Sequence, residues 1–182
     1  MDGTEIDPLR TLAEVSVMAS WAMIETDGLF RLADAAEEAG DYDKAHAYFE
    51  RCAALGEVAG LTRLAYIYDV GLGRPADKRK AMRLYLQAWR CRDSVAANNI
   101  AVLHRERGKH VTMFRWFCRA AEAGDDSARI QMARCYLEGL GVAPSPDAAV
   151  RCLAAALQSA LISDDDREEA EELMDGMRPR AI

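Results

Sequence analysis

The sequence has few residues that interrupt helices or that could crosslink a small fold. Its 182 residues include only 12 Gly, 5 Pro and 5 Cys, and no Cys-x-x-Cys motif occurs. Because hydrophobic residues make up 51% of the chain, extensive disorder is excluded. Scarce Gly and Pro together with abundant Ala favour helices joined by short turns. The Cys residues are interpreted as small core residues, and a zinc site is not expected.

A basic surface and a long apolar run are also missing. The net charge is −7, and the imbalance lies in one C-terminal stretch where eight acids accompany a single base, Arg167. The acids are Asp164, Asp165, Asp166, Glu168, Glu169, Glu171, Glu172 and Asp175. A nucleic-acid partner is not expected, because phosphate binding needs a basic face. No run approaches the roughly 20 apolar residues of a membrane span, and the N-terminus lacks secretory-signal features, so we predict a cytoplasmic protein without membrane association.

Residue patterns typical of catalysis are lacking as well. No two of the three His residues, at positions 46, 104 and 110, stand at the three- or four-residue spacing of a helical metal pair. Paired carboxylates fall at predicted helix ends or solvated faces, whereas general acid–base catalysis needs an apolar pocket. A Cys–His pair of Cys118 with His104 or His110 stays geometrically open, although Cys118 has apolar neighbours typical of a core. We predict no enzymatic activity, no cofactor and no metal.

What the chain does contain is an internal repeat. An apolar residue precedes a small one in four first-helix segments, at Ala33, Ala65, Ala101 and Ala133. A second column of residues, in the second helices, gives an independent register with the same two alternating spacings. Its members are Ala45, Ala81, Met113 and Ala149. Small residues allow two helices to approach closely, and one pair alone cannot bury its apolar face. The period therefore predicts stacked helix pairs.

Two of the four units carry the motif Tyr-x-x-Gly-x-Gly, beginning at Tyr68 and at Tyr136. Gly71 and Gly139 are predicted to end the first helices in a left-handed conformation, with Gly73 and Gly141 turning the loops back. A phosphate-binding loop is not expected, because no strand precedes these glycines and no P-loop lysine follows. The long units resemble the Sel1-like repeat, and the short units, such as Gly40–Gly56, resemble ordinary tetratricopeptide repeats. The resemblance covers residues 29–159.

The resemblance implies an all-α fold: a right-handed α–α superhelix, or solenoid, of antiparallel helix pairs with a capping helix at each end. We predict repeats at about 29–56, 57–92, 93–124 and 125–160, within residues 29–162. The N-terminal capping helix is predicted in residues 1–28, ending near Thr26–Gly28. An acidic capping helix and tail are predicted in residues 163–182, with Ser163 as N-cap. Its apolar stripe should pack on the last repeat through Ala170, Leu173, Met174 and Met177. The aromatic residues Trp21, Trp89 and Trp116 are interpreted as packing residues.

In such repeats the first helices usually line a concave groove that binds partner segments. Carried onto this chain, three positions around each small residue should face that groove. They are Phe30, Asp34 and Glu37; Thr62, Tyr66 and Asp69; Asn98, Val102 and Arg105; and Ile130, Arg134 and Leu137. Only Arg105 and Arg134 are basic, so clamping of a partner's terminal carboxylate is not expected.

The leading hypothesis is therefore a non-catalytic adaptor or scaffold, monomeric or weakly dimeric, that binds a partner protein segment in the groove. Two alternatives stay open. One is an immunity or inhibitor protein that neutralises a toxin through the acidic C-terminal helix, and the other is a secretion chaperone. The acidic helix itself is either a solvated cap or a surface for a basic partner.

Overall fold

The computed structural model describes residues 25–177, and all regular structure in that range is α-helical, which confirms the predicted all-α class. Residues 1–24 and 178–182, which include Trp21 and most of the predicted N-terminal cap, lie outside the described residues. The first helix, α1, covers residues 25–38 in its described part. The other helices are α2 (Tyr42–Ala54), α3 (Val58–Val70), α4 (Lys78–Arg90), α5 (Ser94–Glu106), α6 (His110–Glu122), α7 (Asp126–Glu138), α8 (Pro146–Leu157) and α9 (Asp164–Gly176).

One predicted helix end is absent. We expected the N-terminal helix to stop near Thr26–Gly28, but these residues lie inside α1, and Thr26 is buried. A single glycine in a helix costs only about 1 kcal/mol relative to alanine, and a Cβ at Gly28 would meet no atom within 4 Å. Gly28 therefore weakens the helix locally without ending it.

The chain forms two compact units, divided after Asp77. Unit 1 contains α1, α2 and α3, with Ala33, Ala45, Phe49 and Ala65 fully buried. The ring of Phe30 on α1 meets the ring of Phe49 on α2 edge to face, with centroids 5.5 Å apart. Small residues thus lie where the helices approach, and large ones fill the space between them.

Unit 2 contains α4 to α9, in which each helix packs on the next one along the chain. Its core includes the fully buried side chains of Tyr85, Ile100 and Leu153. Trp89 and Trp116 meet edge to face at 5.7 Å, which confirms the packing role predicted for these two residues. The predicted small positions in this unit, Ala81, Ala101, Ala133 and Ala149, are also fully buried.

The helix ends follow simple capping chemistry. A carboxylate caps the first helix of three repeats, because the side chains of Glu57, Asp93 and Asp125 accept hydrogen bonds from backbone N–H groups of the first turn. Gly71 and Gly139 end α3 and α7 with φ of 80° and 70°, which confirms their predicted left-handed conformation.

Helix α9 covers the end of unit 2, with Ser163 as the predicted N-cap. Its Ala170 is fully buried in a cluster with Ile130, Ala149 and Leu153. Leu173, Met174 and Met177 pack against the same cluster, so the predicted apolar stripe is confirmed.

Candidate functional site

The twelve positions predicted to face a partner do not share one environment. Thr62 and Asp69 expose only 6% of their surface and Ile130 only 1%. These three side chains cannot contact a partner in this structure, so their prediction as surface residues is corrected. They stand three residues before or four after a fully buried small residue, about 40–60° from it around the helix. Phe30 and Arg105 hold the same positions without being buried, so the repeat register alone does not decide accessibility.

The positions that directly follow the small residues behave differently. They lie about 100° further around the helix, and none is buried: Tyr66 and Arg134 are exposed, and Asp34 and Val102 are half-buried. Of the three predicted groove positions, the one directly after the small residue is thus the one that is buried in none of the four first helices.

In unit 1, four of the predicted residues come together in one groove between α1 and α3. Phe30, Asp34 and Glu37 line it from α1, and Tyr66 lines it from α3. The groove encloses about 640 Å³, which is within the range of ligand sites in proteins. Four more side chains complete the lining: Glu38, Tyr42, Arg63 and Leu72.

Arg63 organises the acidic wall of this groove. Its Nη2 donates a hydrogen bond to Oε2 of Glu37 at 2.8 Å and lies 3.9 Å from Oδ1 of Asp34. The guanidinium carbon also lies 5.6 Å from the ring centroid of Phe49 and 6.0 Å from that of Tyr66. These contacts fix the side chain between a carboxylate and two aromatic faces.

Sequence reasoning missed four lining residues for different reasons. Glu38 belongs to a carboxylate pair assigned to a helix end or solvated face, and Arg63 was not selected, although both directly follow predicted groove positions in the sequence. Tyr42 begins α2, and Leu72 stands in the loop after α3. Neither belongs to a first helix, so the groove rule could not select them, and the aromatic character of Tyr42 was the available signal.

Unit 2 uses its corresponding residues mainly for internal contacts. Arg105 Nη1 donates to Oε1 of Gln131 at 3.2 Å, and Arg134 Nε donates to Oε1 of Glu169 on α9 at 2.8 Å. Both arginines line a small cavity of about 140 Å³. Leu137 packs against the core that α9 covers, and Val102 is half-buried. Asn98 is half-buried too, and its Oδ1 has no hydrogen-bond partner among residues 25–177.

The Cys–His combination considered from the sequence is not assembled in the described structure. Burial raises the pKa of the Cys118 thiol, and the neighbouring Glu122 and Cys152 add to that effect. Raised values disfavour the thiolate, which is the nucleophilic form. The Nδ1 atoms of His104 and His110 have no hydrogen-bond partner within the part of the chain that the structure describes.

Cys118 and Cys152 instead line a second cavity, of about 390 Å³, with apolar and charged residues of α6, α7 and α8. Burial raises the pKa of Cys152 as well, and that of the buried Cys135 to about 11. In residues 25–177, no three His, Cys, Asp or Glu side chains are grouped to hold a metal ion. None of the helices in that range has the length and apolar character of a membrane span.

Consecutive helices that pack on one another within each unit, two of them ended by a left-handed glycine, and a helix that covers the end of unit 2 define a helical repeat protein. The model of the Sel1 repeat matches residues 27–57, 58–90, 114–125 and 126–159, more than half of the chain. The chain therefore belongs to the Sel1 repeat family, whose repeats generally act as protein–protein interaction modules.

Two solved structures are similar to this chain. A Sel1 repeat protein from Oxalobacter formigenes superposes with a TM-score of 0.68 at 20% identity, over 85% of this chain and 66% of the other. The protective antigen c5321 of uropathogenic Escherichia coli, which displays an SLR fold, superposes with a TM-score of 0.45 at 19% identity, over 86% of this chain and 49% of the other. The chain thus spans less than two thirds of either relative. At this identity the first likeness shows the fold alone. No curated protein matches the chain.

Proposed function

We propose that this chain is an adaptor that binds a segment of a partner protein in the groove between α1 and α3. The observation that carries the proposal is the open cavity of about 640 Å³ into which the first helices of two consecutive repeats direct aromatic and charged side chains. A peptide segment fits such a site, because it can place alternate side chains along a groove between helices.

The fixed walls of the groove support a binding role. The Arg63–Glu37 hydrogen bond and the edge-to-face contact of Phe30 with Phe49 hold both sides before any partner arrives. A site with ordered side chains loses less conformational entropy on binding than a flexible one. Tyr66, exposed to 38%, offers the kind of aromatic surface that often dominates binding energy at interfaces.

The chemistry of the lining also fits binding better than catalysis. Among its eight lining residues are aromatic rings, carboxylates, one guanidinium and one leucine. None of them is a Ser, Cys or Thr with an adjacent His or Lys base, which is a common arrangement of activated nucleophiles. An adaptor role requires only that these groups recognise a surface.

The experiment that tests the proposal is affinity capture from extracts of the producing cell with three forms of the protein. The wild type should retain a specific partner, and Tyr66→Ala should reduce its retention by about tenfold or more, as expected for an aromatic hot spot. Leu86→Ala is the matched control, because Leu86 on α4 is 37% exposed and lies outside the groove. Equal retention by Tyr66→Ala and the wild type would exclude this groove as the binding site.

A further inference from the structure

The charges of the groove between α1 and α3 indicate what it binds. Three carboxylates line it, on Asp34, Glu37 and Glu38, against the single guanidinium of Arg63. Glu37 and Asp34 share this guanidinium, with Glu37 at 2.8 Å and Asp34 more loosely at 3.9 Å. Glu38 is exposed and has no ion pair within residues 25–177. Three carboxylates against one guanidinium leave the lining with an excess of two negative charges, which attracts a cationic ligand.

Aromatic rings stand beside these carboxylates. Tyr66 and Phe30 line the groove together with Tyr42, and π-faces attract the cationic groups of arginine and lysine. Arg63 already makes both kinds of contact within this protein, since its guanidinium lies near a carboxylate and two aromatic rings at once. Leu72 adds an apolar contact in the same lining, which suits an aliphatic side chain.

On the basis of the proposed function, we infer that the occupant is a basic segment of a partner protein, in which arginine or lysine side chains alternate with aliphatic ones. Its cationic groups would lie between Asp34, Glu38 and the tyrosine rings. An acidic segment would meet a groove with net negative charge, and a wholly apolar one would desolvate the carboxylates of the groove without supplying a cation.

The chain's own segments outside the described structure are the competing occupants. Residues 1–24 carry Asp2, Glu5, Asp7 and Glu14 against one base, Arg10, so their charge has the same sign as that of the groove. Residues 178–182 carry Arg178 and Arg180 with no acid, and those of a second copy have a suitable charge. Binding of a second copy would require measurable self-association.

The test uses full-length protein and a fluorescently labelled peptide of alternating Arg and Leu, with binding followed by fluorescence anisotropy. The double variant Asp34→Asn/Glu38→Gln should bind the peptide about threefold to tenfold more weakly than the wild type, as expected for the loss of two exposed ion pairs. The matched control is Glu171→Gln/Glu172→Gln, which removes the same charge from exposed positions of α9. Peptides with Arg replaced by Glu, or Leu by Ser, should bind more weakly to the wild type.

Three results would overturn the inference. Equal weakening by the groove variant and the α9 control would show attraction to overall negative charge only. Unchanged binding by the groove variant would show that the groove takes no cation. Self-association of the wild type that is lost in Arg178→Glu/Arg180→Glu would make a second copy the occupant.

The failure of this inference can be distinguished from that of the proposed function. If Tyr66→Ala abolishes partner capture while Asp34→Asn/Glu38→Gln retains it, the groove binds a partner but not through basic groups. If Tyr66→Ala retains capture, the groove is not the site at all. Tyr66→Ala measured with the same peptide separates loss of the aromatic face from loss of charge.

Discussion

The close approach of Gly141 to α6 predicts that alanine at this position destabilises unit 2 strongly. Gly141 stands in the loop after α7 with φ of 74°, and a Cβ added there would overlap the carbonyl group of His110 and lie 2.8 Å from the backbone nitrogen of Val111. His110 is the first residue of α6. The loop of one repeat therefore packs directly on the start of the second helix of the preceding repeat, and only glycine leaves room for that contact.

Two costs add at Gly141. A residue with a Cβ loses about 1–2 kcal/mol in the left-handed region, and overpacking against a rigid neighbour costs a further 1–3 kcal/mol or so. The neighbour is backbone, so no change of rotamer relieves the overlap. We expect Gly141→Ala to lower the free energy of unfolding by about 2–5 kcal/mol.

Gly108→Ala measures the cost of the left-handed backbone conformation alone. Gly108 also lies in unit 2 and has φ of 66°, but a Cβ there would meet no atom within 4 Å. This variant should lose only about 1–2 kcal/mol. The measurement is urea unfolding of both variants followed by circular dichroism, with the slope checked for constancy. Equal losses for Gly108→Ala and Gly141→Ala would refute the packing of the loop on α6.

Two further predictions concern unit 2. Burial, assisted by Arg107 and Lys109, lowers the pKa of His104, so the unfolded chain takes up this proton at higher pH than the folded protein. The free energy of unfolding should then fall as pH drops through about 6.5 and level off below the folded pKa, and His104→Gln should show a shallower fall in pH-dependent urea unfolding. A slope identical to that of the wild type would contradict this. Ala170→Asp places a carboxylate at a fully buried site and should cost about 2–4 kcal/mol, whereas Glu171→Asp at the exposed neighbouring position should change thermal stability little. Similar melting temperatures for the two variants would show that α9 is not held by this cluster.

Most of the fold could be predicted from the sequence because the same packing requirement recurs in every repeat. Ala33, Ala65, Ala101 and Ala133 were found as one column of small residues, and all four are fully buried. Two helices can approach closely only where side chains are small, so this requirement recurs in every unit and becomes visible as a period. The two Gly-ended helices were predictable for a similar reason, since left-handed backbone strongly favours glycine.

The groove could be predicted only in part, because accessibility depends on what a neighbouring helix contributes. Thr62 and Phe30 hold the same position relative to their small residues, yet Thr62 is buried and Phe30 lines an open groove. A repeat register assigns both the same role. The repeat register could not predict the contribution of Arg63 either, because its contacts with Glu37 and the Phe49 ring join three different helices.

The residues on the accessible face of the first helices do not repeat from one unit to the next. Directly after the small residues come Asp34 and Tyr66 in unit 1, and Val102 and Arg134 in unit 2. The first two face an open groove, whereas Arg134 is paired with Glu169 on the capping helix. The same backbone position therefore lines an open groove in one unit and makes an internal ion pair in the other. Because the buried column carries the fold, these neighbouring positions can vary in charge and size without changing the helix pairs, and they are where the choice of partner is expected to reside.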